Sequence, residues 1–450
     1  MRKNQTRAGL GFFVVSALAL GVGATACDFI AGGKELDLAY CQAHPAEPAC
    51  ADYCMTHSGA GCPDAPVVIT GCKAEPTKCV GAMPVCDTVM DKCVECTATS
   101  HDLCVGMAPV CGADESCRGC TQHSECASEV CLPDGSCAVN TDVAYVKGAT
   151  GSGSACTQVA PCLTLTAAIT AAKPLVKVKG ATTEPAGIVL SGKTLRVFAD
   201  AGASVSRNSA GAVIELATAT SLELNDLAIV DGLGANGVGI LLSASGTNNQ
   251  LTLNHATVRG CAGVGVKADG GTVTLTGATI TANKGGGVTV TNGKFLITNT
   301  FIMDNGDASG GGSDFGGVQL SSIATGNVFE QNTVFSNHKK LTGVGSPGVV
   351  CTVVTLTAAR NIITRNNEDT AYPAQTAGVC AFAGSFTEPG AGPNDLKFVR
   401  VAAPLDLHLT AASPATVRDV AGVTACSGPD IDGDMRPQVG LCDFGADEYK

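Results

Sequence analysis

Large rings are nearly missing from this chain: it has no tryptophan, five tyrosines and 13 phenylalanines in 450 residues. At 44.9 kDa its mass per residue is near 100 Da, so it is built from small side chains. Charge is scarce as well, at 15% of residues against about 25% in a typical globular domain. Yet 45% of the chain is apolar, which excludes a disordered chain and a coiled coil. A basic excess is also lacking. The 28 Lys and Arg face 40 Asp and Glu, a net charge of −12, which argues against nucleic acid or an anionic lipid surface as the main partner. None of the seven histidines stands at a metal-ligand spacing from another, and beyond the amino terminus no run is apolar enough to span a membrane.

What is present begins with an export signal. Arg2, Lys3 and Arg7 precede an apolar stretch from Ala8 to Gly23 that is shorter than the roughly 20 residues of a membrane-spanning helix. It ends in Ala24-Thr25-Ala26-Cys27. Two cleavage chemistries fit: release after a small-x-small site, or processing at a motif that resembles the lipobox of bacterial lipoproteins, with lipid on Cys27. Cys27 stands 14 residues before the next cysteine, with small or charged tether-like residues between, which favours the lipid anchor. The mature protein would then touch a membrane only through that anchor, and would be secreted without it.

Cysteines divide the remainder. Sixteen lie between Cys41 and Cys137 and seven beyond, at Cys156, Cys162, Cys261, Cys351, Cys380, Cys426 and Cys442. The segment repeats with a period of 25: CVGAMPVC from Cys79 returns as CVGMAPVC from Cys104. Units this short cannot offset their backbone entropy by burial and need covalent staples. Zinc is the rival, because Cys93-x2-Cys96 and Cys117-x2-Cys120 approach ribbon spacing. It leaves Cys104 and Cys111 unexplained, and export favours disulfides, whose connectivity here the spacing leaves open. Further on, Cys156 with Cys162, Cys351 with Cys380, and Cys426 with Cys442 are the expected local pairs, and Cys261 is left as a buried, inert thiol.

From Ser221 the chain repeats a strand-period unit: SLELNDLAIV, QLTLNHATVR, TVTLTGATIT, KFLITNTFIM, NVFEQNTVFS and TLTAARNIIT. Apolar residues alternate within each copy, as a strand with one inward face requires. We align Ile229, Val258, Ile280, Ile302, Phe335 and Ile363 as one column, and Leu227, Ala256, Ala278, Thr300, Thr333 and Asn361 as a second. The shortest spacing is 22 residues. Each copy then opens a second short strand, such as GVGI or GVGV. Short strands stacked this densely, with no helical pattern between them, predict a parallel β-helix. Asn283, Asn305 and Asn366, three positions after an aligned Ile, are expected to stack and satisfy turn backbone.

Both ends of this region carry a family resemblance. The stretch VAYVKGATGSGSACTQVAPCLTLTAAITAAKPLVKVKG from Val143 resembles the opening of pectin-lyase-like right-handed parallel β-helix proteins, where a short helix caps the first coil. The string CSGPDIDGDMRPQVGLCDFGADEYK from Cys426 resembles the closing segment of bacterial surface proteins of the choice-of-anchor Q type. The resemblance implies an all-β, right-handed solenoid preceded by the disulfide-rich module. The expected organisation is a signal (1–26), tether (27–40), Cys-rich module (41–139), β-helix with an amino-terminal cap (140–425) and carboxyl-terminal cap (426–450).

Such a fold hosts enzymes and non-catalytic surface proteins alike, so function must come from residues. No aspartates are adjacent and no G-H-G or R-I-K string of polygalacturonase type occurs. Insertions in three consecutive copies, Asp304–Gly316, Ser336–Gly348 and Asn366–Ala377, fall at one corner. They would form a ledge carrying Asp304, Asp307, Asp314, His338, Lys339 and Lys340, then Glu368, Asp369 and Tyr372, with Arg365 at its edge. Its competing reading is a set of solvated loop charges. Asp430, Asp432 and Asp434 resemble the start of a calcium loop, although Leu441 stands where an EF-hand has its Glu; a polar capping turn is the alternative. No other cofactor is expected. The expected function is non-catalytic binding of a polysaccharide or an envelope protein, with a polysaccharide lyase or hydrolase, or a purely structural surface role, as alternatives.

Overall fold

The computed structural model describes residues 71–450 except 235–236, 245–247, 310–312, 343–344, 354, 369–370, 389–394, 423–425, 427 and 439. Cys27 and the leader lie outside the described residues, as does Asp369. The chain divides into two compact units: residues up to Leu103 with Cys111–Cys117, and Cys104–Val110 with Arg118–Lys450.

In the first unit sulfur takes the place of an apolar core. Cys72, Cys79 and Cys93 form its buried centre, joined as Cys72–Cys86 and Cys79–Cys93. Between them an antiparallel pair, Val85–Asp87 with Lys92–Val94, closes through Asp91 at φ 53°. First-to-third and second-to-fourth bonding recurs in the second unit, as Cys120–Cys131 and Cys126–Cys137. Each bridge closes a loop of 11 to 15 residues, worth about 3 kcal/mol by loop-closure entropy. Cys93, Cys96, Cys117 and Cys120 are all disulfide-bonded, which overturns the zinc-ribbon alternative.

The second unit is a parallel β-helix. Sheet 1 has nine described strands, from Val143–Val146 to Leu356–Ala359; sheet 2 has eight, from Ala181–Glu184 to Ile362–Thr364; sheet 3 has eight, from Ile188–Ser191 to Thr376–Gly378. Each strand pairs in parallel with its counterpart one coil away, which stacks like side chains in columns. Val197, Leu224, Leu253, Leu275, Ile297 and Phe329 form one such column, and Val205, Ile229, Val258, Ile280, Ile302, Val334 and Ile363 another. The pairing corrects the alignment of the fifth copy by one residue: Val334, not Phe335, faces inward, and Asn332, not Thr333, stands beneath Asn361.

Corners are built from two devices. A single residue in the left-handed region turns the chain after sheet 2, at Ala282, Asp304, Ser336 and Arg365. The next residue is a stacked, fully buried Asn: Asn283, Asn305, Asn337 and Asn366. Asn283, Asn305 and Asn337 each donate Nδ2 to the Asn one coil on, and Asn366 donates to Gln375 at the end of its own insertion, while each Asn Oδ1 accepts a backbone N–H from the coil before. Glycine makes room for this column, since a Cβ on Gly265 would meet Asn283 Nδ2 at 2.6 Å, and one on Gly348 would meet Asn366 Nδ2 at 2.9 Å.

The core is sealed at both ends. Helix α1 (Leu165–Thr170) inserts Leu165 and Ala168 into the first coil. Its open N–H groups are met by Thr164 Oγ1 and by the buried Glu184 carboxylate, which accepts from Leu165 at 2.7 Å. At the far end Phe382 packs edge-on against Phe329, beside the Cys351–Cys380 bridge. The carboxyl-terminal segment therefore does not close the solenoid. It folds back over the outer face of sheet 2, where Phe301, Phe335 and Ile362 bury against Leu396, Phe398, Leu407, Leu409, Val417 and Phe444.

Candidate functional site

The predicted ledge is assembled from the corner residues and the insertions behind them. Two insertions extend the solenoid sideways as a small parallel pair, His338–Lys339 with Asn367–Glu368. The left-handed turn at Asp304 aims its carboxylate at His338, whose Nε2 lies 3.3 Å from Asp304 Oδ1 and whose Nδ1 hydrogen-bonds Asn367 Oδ1. Burial opposes charge on this ring, but the Asp304 and Asn367 hydrogen bonds win and hold its pKa above the ordinary value. Each ring nitrogen thus faces an acceptor, which favours the charged form. Lys340 pairs with the exposed Asp314 at 2.6 Å. Arg365, from the last corner, lies 5.3 Å over the Tyr372 ring and donates to its hydroxyl at 3.4 Å.

Two ledge residues are placed otherwise than expected. Lys339 is only 2% exposed and pairs inside the ledge with Glu368 at 3.0 Å, because strand alternation turns it inward between its neighbours. Asp307 accepts the Ser309 N–H at 2.8 Å in its own turn, which holds its carboxyl below the usual range. Glu330, paired with Arg360 at 3.2 Å, lies on the sheet 1 side. The chain carries one N-T-D string, a further string of polygalacturonase type, at Asn140–Asp142; it forms a one-turn 3-10 helix ahead of the first coil, and Asn140 accepts the Tyr145 hydroxyl.

Asp430, Asp432 and Asp434 do not converge on one point. Asp430 is buried and caps its own turn, accepting the N–H groups of Asp432 and Asp434 at 3.0 and 2.9 Å. Asp434 pairs with Lys450, and Asp432 faces His408 Nε2 at 3.3 Å. The three carboxylates thus make separate contacts, as the capping-turn alternative expects, and do not share the one focus of a calcium loop. The rest of the motif serves the fold: buried Arg436 bonds Glu448 at 3.1 Å and the Gly445 carbonyl at 3.0 Å. Asp447 is almost fully buried, and that burial pushes its carboxyl up to about 6. Disulfides join Cys156–Cys162 and Cys426–Cys442, and Cys261 is a free, buried thiol pushed up to about 11 by desolvation.

A further cleft, of about 930 Å³, escaped the sequence reading because its walls come from distant segments: Thr121–Ser124 and Asp134 of the last four-cysteine unit, and Asp200, Asn225 and Asp226 at coil corners. His123 accepts the Cys131 N–H at Nδ1, 3.0 Å away, and its Nε2 faces Asp226 at 3.8 Å. Burial first, and Lys177 second, keep this ring below its ordinary pKa. Lys177 is itself buried and pairs with Asp200 at 2.8 Å.

Comparison with known proteins bears on the solenoid. The family described as the right-handed beta helix region matches residues 236–389. The crystal structure of pectate lyase Pel9A is similar at 14% identity and a TM-score of 0.38, covering 68% of this chain and 96% of that one. No curated protein matches the chain.

Proposed function

We propose that this protein is exported to the bacterial envelope, held there by lipid on Cys27, and uses the ledge to bind a polysaccharide without cleaving it. The observation that carries this reading is the stacked Arg365–Tyr372 pair, on a ledge whose insertions pair strand to strand between neighbouring coils. A ring face offers stacking to the C–H surface of a sugar, and a guanidinium can meet carboxylate or hydroxyl groups alongside it. A wall rising coil by coil suits an extended, repeating ligand better than a small one. Binding is favoured over catalysis because Asp304, Asp314 and Glu368 each already face a cation. Sugar hydrolysis needs two carboxylates poised for proton transfer and attack, and β-elimination needs an unoccupied base.

The test is a polysaccharide panel, acidic and neutral, scored separately for binding and for new reducing or unsaturated ends. Capture without product is expected. Lys340→Ala and Tyr372→Ala should each weaken it about tenfold, the loss of roughly 1.4 kcal/mol; unchanged capture in both would remove the ledge from consideration, and product release would make the protein an enzyme. Lys339 is unsuited to this experiment because it is buried and its loss removes the partner of Glu368. The anchor is tested independently: radiolabelled lipid should enter the wild-type chain in its native host and be absent from Cys27→Ala.

A further inference from the structure

The returning carboxyl-terminal segment brings together three groups that stand far apart in sequence. His408 closes a tight hairpin in which Arg400 and Asp406 exchange backbone hydrogen bonds, and its ring packs edge-on against Phe301 of sheet 2 at 5.4 Å. Asp406 Oδ1 lies 2.6 Å from His408 Nδ1, which fixes the ring and directs Nε2 towards Asp432. Asp447 approaches from the other side, with Oδ2 accepting the Leu409 N–H at 2.6 Å and its other oxygen left over. One donor atom from each of His408, Asp432 and Asp447 lies within 4.8 Å of the other two. Ligands that meet one tetrahedral ion at about 2.0 to 2.2 Å stand roughly 3.3 to 3.6 Å from one another, the spacing already shown by His408 Nε2 and Asp432 Oδ1 at 3.3 Å.

A second observation is independent of this geometry. Asp430, two residues from Asp432, is 1% exposed, and its Oδ2 has no hydrogen-bond partner among the described residues. Four carboxylates of this segment are buried, Asp430, Asp443, Asp447 and Glu448, against one buried guanidinium, Arg436. Arg436 gives its hydrogen bonds to the Glu448 side chain and to the Gly445 and Asp447 carbonyls, and none to the Asp430 carboxylate. Four buried carboxylates around one buried guanidinium leave an excess of negative charge, which is costly to bury unless a further cation joins it.

We propose that His408, Asp432 and Asp447 bind a divalent transition-metal ion, zinc or manganese, that ties together the separate segments of the carboxyl-terminal layer. One imidazole with carboxylates selects such an ion over calcium, which prefers oxygen alone. A carboxylate on the far nitrogen of the ligating His is the usual outer support of such sites. The ion joins the hairpin, the Asp432 turn and the last residues of the chain, while exposed Asp432 leaves its outer positions open to water.

The full chain, stripped with chelator and dialysed, should take up one equivalent of zinc or manganese by equilibrium dialysis with metal analysis, and its thermal midpoint should rise with metal concentration. His408→Ala and Asp432→Asn should each weaken uptake at least tenfold, and Asp406→Asn by about tenfold. Asp432 is exposed, so Asp432→Asn keeps the test meaningful if His408→Ala does not fold. Asp434→Asn, which alters only the Lys450 pair, should bind like wild type. Absence of stoichiometric uptake, uptake that survives both ligand variants, or uptake of calcium alone would each overturn the site.

Discussion

Asn305 shows how much of this solenoid hangs on one side chain. Its Nδ2 donates to the Ile280 carbonyl and to Asn337 Oδ1, and its Oδ1 accepts from the Asn283 N–H and Nδ2, all without access to water. Asn305→Ala would strand donors and acceptors on three coils at once, at about 1 to 3 kcal/mol for each unsatisfied group, so we expect a loss of at least 3 kcal/mol in denaturant unfolding. Asn305→Asp should be no milder, because it replaces two donors by a buried charge. The same column explains Cys261, which sits at the ladder position one coil before Asn283 and meets that residue only through its backbone N–H. A Cβ on Gly239 would come within 3.2 Å of its sulfur, so the pocket already has the tightness of an Asn site. The thiol is a terminus of the ladder, not a reagent.

At the scale of elements, the ledge and the ladder differ in how they respond to pH. The amide side chains of the ladder do not titrate, whereas His338 joins two insertions through Asp304 and Asn367, with Asp307 adding to the attraction. A raised folded-state pKa means that the charged ring stabilises the ledge fully below the unfolded value of 6.5 and stops doing so as pH rises through the folded one. Proton NMR titration should therefore place His338 above 6.5 in the wild type. In Asp304→Asn it should fall, because burial then acts with less opposition. A His338 titration unmoved by that substitution would mean that the insertions do not form one ledge. Much of this level was legible in sequence, because strand alternation and the Asn spacing are imposed by local backbone chemistry. The fifth copy misled for a physical reason: Thr333-Val334-Phe335 offers two apolar candidates, and Phe335 is as buried as Val334. Its burial comes from the returning segment, which no local pattern announces, and the slip hid Asn332 and Asn337 from the ladders. Lys339 was misjudged similarly, since a lysine in a polar loop gives no sign that a neighbouring coil supplies Glu368.

For the whole molecule, the consequential feature is that the chain's end is a layer and not a lid. Residues of the D-x-D-G-D-x-R-P and D-x-G-A-x-E strings were legible as a unit, but their place was not, because a resemblance between strings carries no information on the surface they cover. The layer is tied to the coils by few polar contacts, the Gly445 N–H to the Arg360 carbonyl at 2.7 Å and the Ala446 N–H to Thr333 Oγ1 at 3.0 Å, and by the apolar contact with Phe301, Phe335 and Ile362. Its internal order rests on Arg436, whose removal would leave Glu448 and its acidic neighbours buried without their cation. Breaking one side of such a pair costs about 3 to 5 kcal/mol, whereas replacing both partners by apolar groups of similar volume costs far less. Arg436→Met should therefore release residues 395–450 in hydrogen exchange while strands from Ser221–Asn225 to Thr272–Thr276 keep their protection, since those coils make no contact with the layer's core. Adding Glu448→Leu should return part of the lost protection. Exchange that rises evenly through every coil of Arg436→Met would instead make the layer an inseparable part of the solenoid's folding unit, because a stack stabilised by nearest neighbours confines damage to the coils that touch it.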